Sequence, residues 1–273
     1  MRVPALLVAL LVALLVVVER PRAEPGSRGD GRFAVIVGES GDSGPTPRLV
    51  LVDADGKNSR VRLGWVYHAS LSPKGRLIAY QPRTTRPEIW VAPADGRGKG
   101  RLLVRNGSDV DWSPNGDAIA FARDGDVWID DLHTGKQRPV VHDASLPDWA
   151  PDGKKFAFVR GSDVWVVDVA TGAIRRVIRN AGSPRWSPDG GRLAFVRGRG
   201  LYPYPFVYVA RADGTRARRV AEGSSEAWSP DGIELAIAEF SWILRVRVDG
   251  THRRAAWAPR NGSQACRDID WVG

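Results

Sequence analysis

Short apolar runs recur along most of the chain, each introduced by the same polar turn. Aligned on that turn, the segments read LSPKGRLIAY from Leu71, WSPNGDAIAF from Trp112 and WAPDGKKFAF from Trp149. WSPDGGRLAF follows from Trp186, WSPDGIELAI from Trp228, and a further copy opens as DIDW at Trp271. Successive copies lie 41, 37, 37, 42 and 43 residues apart. Each reads as strand, turn, strand. Pro at the second turn position presets φ, Asp or Asn is tolerated at the third, and Gly closes the turn. The run that follows alternates small and large apolar residues, as in Ala157, Phe158 and Val159, which predicts a strand packed on both faces. A third strand carries an aromatic at matching places (Trp90, Trp128, Trp165 and Tyr208) and ends in an ADG or TG hairpin turn. A fourth, polar strand closes the unit.

The ends fit the same scheme. Residues 33–39, 48–56 and 59–64 supply the second, third and fourth strands of a unit that lacks its first. Residues 265–271 supply a first strand that lacks the rest. Joining them completes a sixth unit from both termini and leaves no open end. The pattern therefore predicts an all-β, six-bladed β-propeller of four-stranded blades over residues 33–273, its ring closed by pairing the C-terminal strand with the N-terminal blade. Trp112, Trp149, Trp186, Trp228 and Trp271 are expected to be structural, packing where each repeat begins.

Ahead of the repeats, Val3–Val18 is one apolar run, broken by Pro4 and preceded by Arg2. As a helix it would span roughly 24 Å, short of a bilayer core of about 30 Å. Residues 1–23 read as a signal peptide or an N-terminal membrane anchor, and the Pro/Gly/Arg-rich residues 24–32 as a linker. The expected location is outside the cytoplasm, periplasmic or extracellular, with residues 3–18 as a tether if they persist.

The WSPDG turn followed by an apolar strand, in several copies, resembles the repeat of TolB-like β-propellers. The resemblance covers essentially the whole chain after the linker. Leu71 and Lys74 depart from it in the first copy, Asn115 and Ala150 mildly in later ones. The family's namesake carries an α/β domain before its propeller, and residues 1–32 leave no room for one. The resemblance implies a cell-envelope role as a partner-binding scaffold. It carries over no contact residues, because only the repeat motif matches.

Strand alternation assigns each loop to a face. The SPDG and ADG/TG turns share one end. The loops of the other end vary: ESGDSGPTPR from Glu39, QPRTTRP from Gln81 and RGRGLYPYP from Arg197. Variable loops on a rigid scaffold commonly carry function. The candidates for recognition there are Arg83, Arg86, Arg123, Arg160, Arg197 and Arg199, with Tyr202 and Tyr204. At the same end an acidic set precedes the first strands: Asp109, Asp111, Asp148, Glu226, Asp268 and Asp270, with His68 and His142 nearby. First strands surround the central channel, so these residues are candidates for its mouth, where a cation or basic peptide could bind. Their alternative role is to cap turns or pair with neighbouring Arg.

Several catalytic signatures fail. GDSGP from Gly41 sits in no G-x-S-x-G elbow, no H-E-x-x-H exists, and DADGKN from Asp53 lacks the later Glu of an EF-hand. Metal-dependent propeller lyases of similar fold use a cluster of His. The chain has four, of which His133 falls in a turn of the opposite face and His252 in an outer strand. One Cys, Cys266, excludes an intrachain disulfide and a Cys-based zinc cluster. No cofactor and no metal are expected. The expected function is non-catalytic binding of a protein, peptide or cell-envelope component across the variable face, by a monomer. The rival is a hydrolase or lyase on a saccharide or peptide at the channel mouth, using His68, His142, Asp109 and Asp148.

The net charge of +9 changes this picture little. Much of the excess falls on fourth strands: Arg60 and Arg62; Lys99 and Arg101; Lys136 and Arg138; Arg175 and Arg176; Arg216, Arg218 and Arg219; Arg253 and Arg254. Charge on exposed edge strands discourages sheet-to-sheet aggregation. Spread around a ring it makes no nucleic-acid groove, so no nucleic-acid partner is expected.

Overall fold

The computed structural model describes residues 32–39, 46–53, 59–64, 66–95, 100–198, 205–239, 241–258 and 264–272. The 1–23 and 24–32 assignments, apart from Arg32, lie outside these, as do Arg199, Tyr202 and Tyr204. Among the described residues, six antiparallel four-stranded sheets account for all the strands, and no helix occurs. The first complete blade is β4 (Val66–Leu71), β5 (Leu77–Pro82), β6 (Glu88–Pro93) and β7 (Arg101–Arg105). The second is β8 (Ser108–Trp112), β9 (Ala118–Arg123), β10 (Asp126–Asp131) and β11 (Lys136–Val141). The third is β12 (Ser145–Trp149), β13 (Lys155–Arg160), β14 (Asp163–Asp168) and β15 (Ile174–Ile178). The fourth is β16 (Gly182–Trp186), β17 (Arg192–Arg197), β18 (Phe206–Arg211) and β19 (Arg218–Glu222). The fifth is β20 (Ser225–Trp228), β21 (Glu234–Glu239), β22 (Trp242–Arg247) and β23 (Arg254–Trp257).

The sixth blade has the order β24–β1–β2–β3, from β24 (Gln264–Val272), β1 (Arg32–Glu39), β2 (Thr46–Asp53) and β3 (Ser59–Gly64). The C-terminal strand is thus innermost in a blade whose other strands come from the N-terminus, with Phe33 opposite Trp271 and Val35 opposite Ile269. This is the closure expected from the repeats. β2 begins at Thr46, two residues before the expected start, and pairs with β1 along its full length.

The repeated turn works through its serine as well as its proline and glycine. In the second blade Ser113 Oγ accepts from Ala118 N at 2.9 Å, and Gly116, at φ +79°, donates from its N to Ser113 O at 2.8 Å. Ser72, Ser187 and Ser229 accept in the same way at 2.9–3.0 Å. Small-side-chain alternation in the second strands lets adjacent blades approach closely. Apolar clusters fill each of the six blade interfaces, for example Ala157, Val166 and Ile178 against Trp186, Leu193 and Phe195. Burying one such Phe removes apolar surface worth about 2–3 kcal/mol from water. The five repeat-initial Trp are all buried. On the outer strands Lys136, Arg138, Arg175, Arg176, Arg218 and Arg219 are exposed, as edge protection requires.

Candidate functional site

In the first strands, the position just before the repeat-initial Leu71 or Trp is Ser70, Asp111, Asp148, Arg185, Ala227 or Asp270. Three of the acids make one repeated contact. Asp111 Oδ2 accepts from Trp149 N at 2.8 Å, Asp148 Oδ2 from Trp186 N at 2.6 Å, and Asp270 Oδ2 from Leu71 N at 2.7 Å. Each carboxylate therefore staples its blade to the next, around the channel wall.

Arg185 breaks the acidic pattern. Its guanidinium lies 3.2 Å from Asp148 Oδ1 and 3.9 Å from Asp268 Oδ1. Burial works against its charge, but four surrounding aspartates outweigh burial and hold it firmly protonated. Arg185 also lines both cavities of the channel. The upper one, about 260 Å³, opens toward the variable loops and is walled by His68, Asp109, Glu226 and Asp268, with Tyr67 and Gln81 at its edge. The lower one, about 210 Å³, is walled by Asp111, Asp148 and Asp270 and by Pro73, Pro188 and Pro230 of the repeated turns. The expected single mouth is two chambers, and a cation sits between them.

Charge in the upper chamber is unevenly matched. His68 Nδ1 lies 2.8 Å from Asp268 Oδ2, while its Nε2 lies 3.0 Å from the carbonyl oxygen of Val110. Two acceptors, one per ring nitrogen, demand two N–H donors and hence an imidazolium. Burial opposes that charge, yet Asp268 prevails and lifts His68 to about 9. Asp268 in turn is held low despite its burial, with Ser225 Oγ also donating to it at 2.9 Å. Glu226 has no such support. It is 1% exposed, and neither carboxyl oxygen has a hydrogen-bond partner. Burial pushes it up to about 8 against the pull of Arg185. Burial also pushes Asp148 to about 8, with the charge of Asp111 adding to it, and Asp111 to about 6, with that of Asp270 adding, while Arg185 opposes both.

His142 stands apart from the channel. It is exposed on the outer side of the second blade, its Nδ1 2.9 Å from Asp126 Oδ2. Among the described residues, no group of three or more His, Cys, Asp or Glu side chains is placed to hold a metal ion.

The arginines of the variable face divide into two sets. Arg123 stacks 3.9 Å from the Trp128 ring, Arg160 5.5 Å from Trp165 and Arg197 5.2 Å from Tyr208. Each ends a second strand and covers the aromatic of the third, which lies opposite a Phe: Phe121, Phe158 and Phe195 respectively. Further bonds hold them: Arg123 donates to Gln137, Arg160 to the His142 carbonyl and Arg197 to the Arg179 carbonyl. Arg83 and Arg86 instead lie in the exposed 83–87 loop, which follows Gln81 at the edge of the upper chamber.

Arg185 and the unpartnered state of Glu226 are what sequence reasoning missed. The signal for Arg185 was present as the one basic residue at a position that is Asp in three other repeats. Glu226 occupies the position two before the repeat-initial residue, where the other copies carry Ala69, Val110, Pro147, Pro184 and Ile269, all buried, and β20 places it opposite Ile237. The signal for Glu226 was also present, as the one charged residue at a position that is apolar in the other five copies.

A family model described as the TolB beta propeller domain matches residues 109–254. A comparison with curated proteins finds no match. Among solved structures, TolB from Acinetobacter baumannii superposes with a TM-score of 0.75 at 22% identity, over 89% of this chain and 66% of that one. The chain thus spans about two thirds of that protein's length. A protein assigned as TolB from Agrobacterium tumefaciens gives 0.63 at 15% identity, over 90% of this chain and 100% of that one. An oligogalacturonate lyase in complex with manganese gives 0.53 at 16% identity, over 83% and 74%. At these identities the likeness is one of fold.

Proposed function

Since this chain belongs to the TolB beta propeller domain family, we propose that it is an exported, non-catalytic scaffold. In this reading it binds a protein or peptide of the cell envelope through the variable face. The observation that carries the reading is the upper chamber. It is a cup floored by Arg185 and open toward the variable loops, with an exposed aromatic, Tyr67, at its edge. A rigid, preformed depression beside adaptable loops is a geometry that receives a projecting side chain. The chain acts as a monomer, and residues 1–23 direct it out of the cytoplasm or tether it there.

The dispersal of the other candidate set supports binding over turnover. Of His68, His142, Asp109 and Asp148, His142 is outside the channel, while Asp109 and Asp148 wall different chambers on either side of Arg185. General acid and base groups must reach one reacting centre within about 3 Å each. The raised carboxyl of Asp148 is already used, as acceptor for Trp186 N and Arg185.

The test is site-specific photocrosslinking in cells, with the probe residue placed at Arg83, Arg86 or Tyr67 and, as control, at Asn115 on the opposite face. Adducts to one defined envelope protein from the first three positions only are expected. Equal crosslinking from Asn115, or none from the variable face, would overturn the reading.

A further inference from the structure

The upper chamber holds more carboxyl groups than cations, and the surplus is concentrated on one side chain. His68 and Arg185 are matched by Asp268 and Asp148. Asp109 and Glu226 line the same chamber in excess of those pairs. Glu226 is the telling group, because it is 1% exposed with both oxygens unpartnered. A buried carboxylate without a donor is costly, so the group keeps its proton until a cation takes the proton's place. A metal ion is the poorer occupant, since the described His, Cys, Asp and Glu side chains form no ligand group of three. Tyr67, half exposed and lining the same chamber, is an aromatic side chain suited to an organic cation and its apolar stem. Glu226 sits at the chamber's wall without accessible oxygens, so contact requires the side chain to turn inward.

We propose that the upper chamber receives a primary ammonium, the terminus of a lysine side chain on the partner, which Glu226 turns to meet. Glu226 gives up its proton to solvent as the ammonium arrives, so charge in the chamber is conserved on binding. This rests on the partner-binding reading above and names the chemistry of the group that enters.

The probe is N-acetyl-lysine amide, titrated at pH 7.5 by intrinsic Trp fluorescence and by calorimetry in two buffers of different ionisation enthalpy. Saturable binding with release of a fraction of a proton approaching one is expected. Glu226→Gln weakens binding about tenfold and removes the proton release. Tyr67→Ala, at an exposed position, weakens it about threefold with an unchanged Tm, which keeps the test valid if the first variant folds poorly. The Nε-acetylated analogue does not bind. No saturable binding by the native protein, equal binding of the acetylated analogue, or preferential occupancy by MnCl2 each overturns the inference. Lysine binding without envelope crosslinks would sink the partner reading alone; crosslinks without lysine binding would sink this inference alone.

Discussion

Asp148 and Trp186 lie in different blades, yet the Asp148 carboxylate accepts from the Trp186 backbone N–H at 2.6 Å. The same carboxylate holds Arg185 at 3.2 Å. One side chain therefore ties two blades together and fixes the cation that separates the two chambers. Asp111 and Asp270 repeat the first of these tasks and not the second.

Replacing Asp148 separates the two tasks. Asp148→Ala leaves a buried N–H and a buried guanidinium short of acceptors and lowers stability by about 3 kcal/mol. Asp148→Asn keeps a carbonyl oxygen for Trp186 and costs less than half as much. Thermal unfolding followed by Trp fluorescence measures both, and equal losses would show that charge rather than the staple dominates.

The channel makes stability fall as pH rises. Glu226 is raised from 4.5 to about 8, so the folded state holds a proton that the unfolded chain has already lost. Its contribution is full below pH 4.5 and gone above about 8. His68, raised from 6.5 to about 9, contributes fully below 6.5 and loses that contribution as pH climbs to 9. Asp268 is lowered, so its contribution is present above 3.8 and lost only as pH falls through its lower folded value. The native protein is expected to lose about 5 °C or more in Tm between pH 5 and 9. Asp148, raised to about 8, and Asp111, raised to about 6, act with the same sign, so Glu226→Gln removes its own share of the fall below pH 8 and leaves theirs and that of His68.

Arg123 and Arg86 both lie on the variable face and behave differently on truncation. Arg123→Ala uncovers Trp128 and costs about 1 kcal/mol. Arg86→Ala, on an exposed loop, changes stability by less than about 0.5 kcal/mol and acts on partner crosslinking instead. Urea denaturation of the two variants beside the crosslinking assay reads both effects.

Ring closure depends on pairing rather than on where the chain ends. Deleting residues 264–272 strips the inner strand from the sixth blade and is expected to abolish a single cooperative unfolding transition. Val272 lies opposite Arg32 in an antiparallel pair. Moving 264–272 ahead of residue 32 through a two-residue hairpin turn should therefore restore that transition. A permutant as unstable as the deletion would refute the closure.

The sequence alone determined the architecture, because blade formation is local. Each Trp–Ser–Pro–Asp–Gly turn fixes a hairpin through a handful of adjacent residues, and the alternation beyond it fixes which faces are buried. Six such units at a forty-residue period leave only the join of residues 33–39 with 265–271 to be completed at long range, and the missing strand in one and the surplus strand in the other made that legible too. The charge map was legible for the same reason, since a fourth strand is an edge wherever it occurs.

What only the tertiary structure decided is how the channel's charges pair. The acids were visible as a set, though the structure places them within the first strands rather than before them, and their partners lie in neighbouring blades, about forty residues away and more, as with Asp270 and Leu71 at a separation of 199. Partition of the set by Arg185, the stacking of Arg123, Arg160 and Arg197 on the aromatics of their own blades, and the exclusion of His142 all follow from side-chain direction. Glu226 stands at a position that is buried in all six blades, and only the packing of neighbouring strands leaves both its oxygens without a partner. Local turn chemistry sets a blade; electrostatics at short range across blade interfaces sets the site, and that depends on distances no repeat pattern encodes.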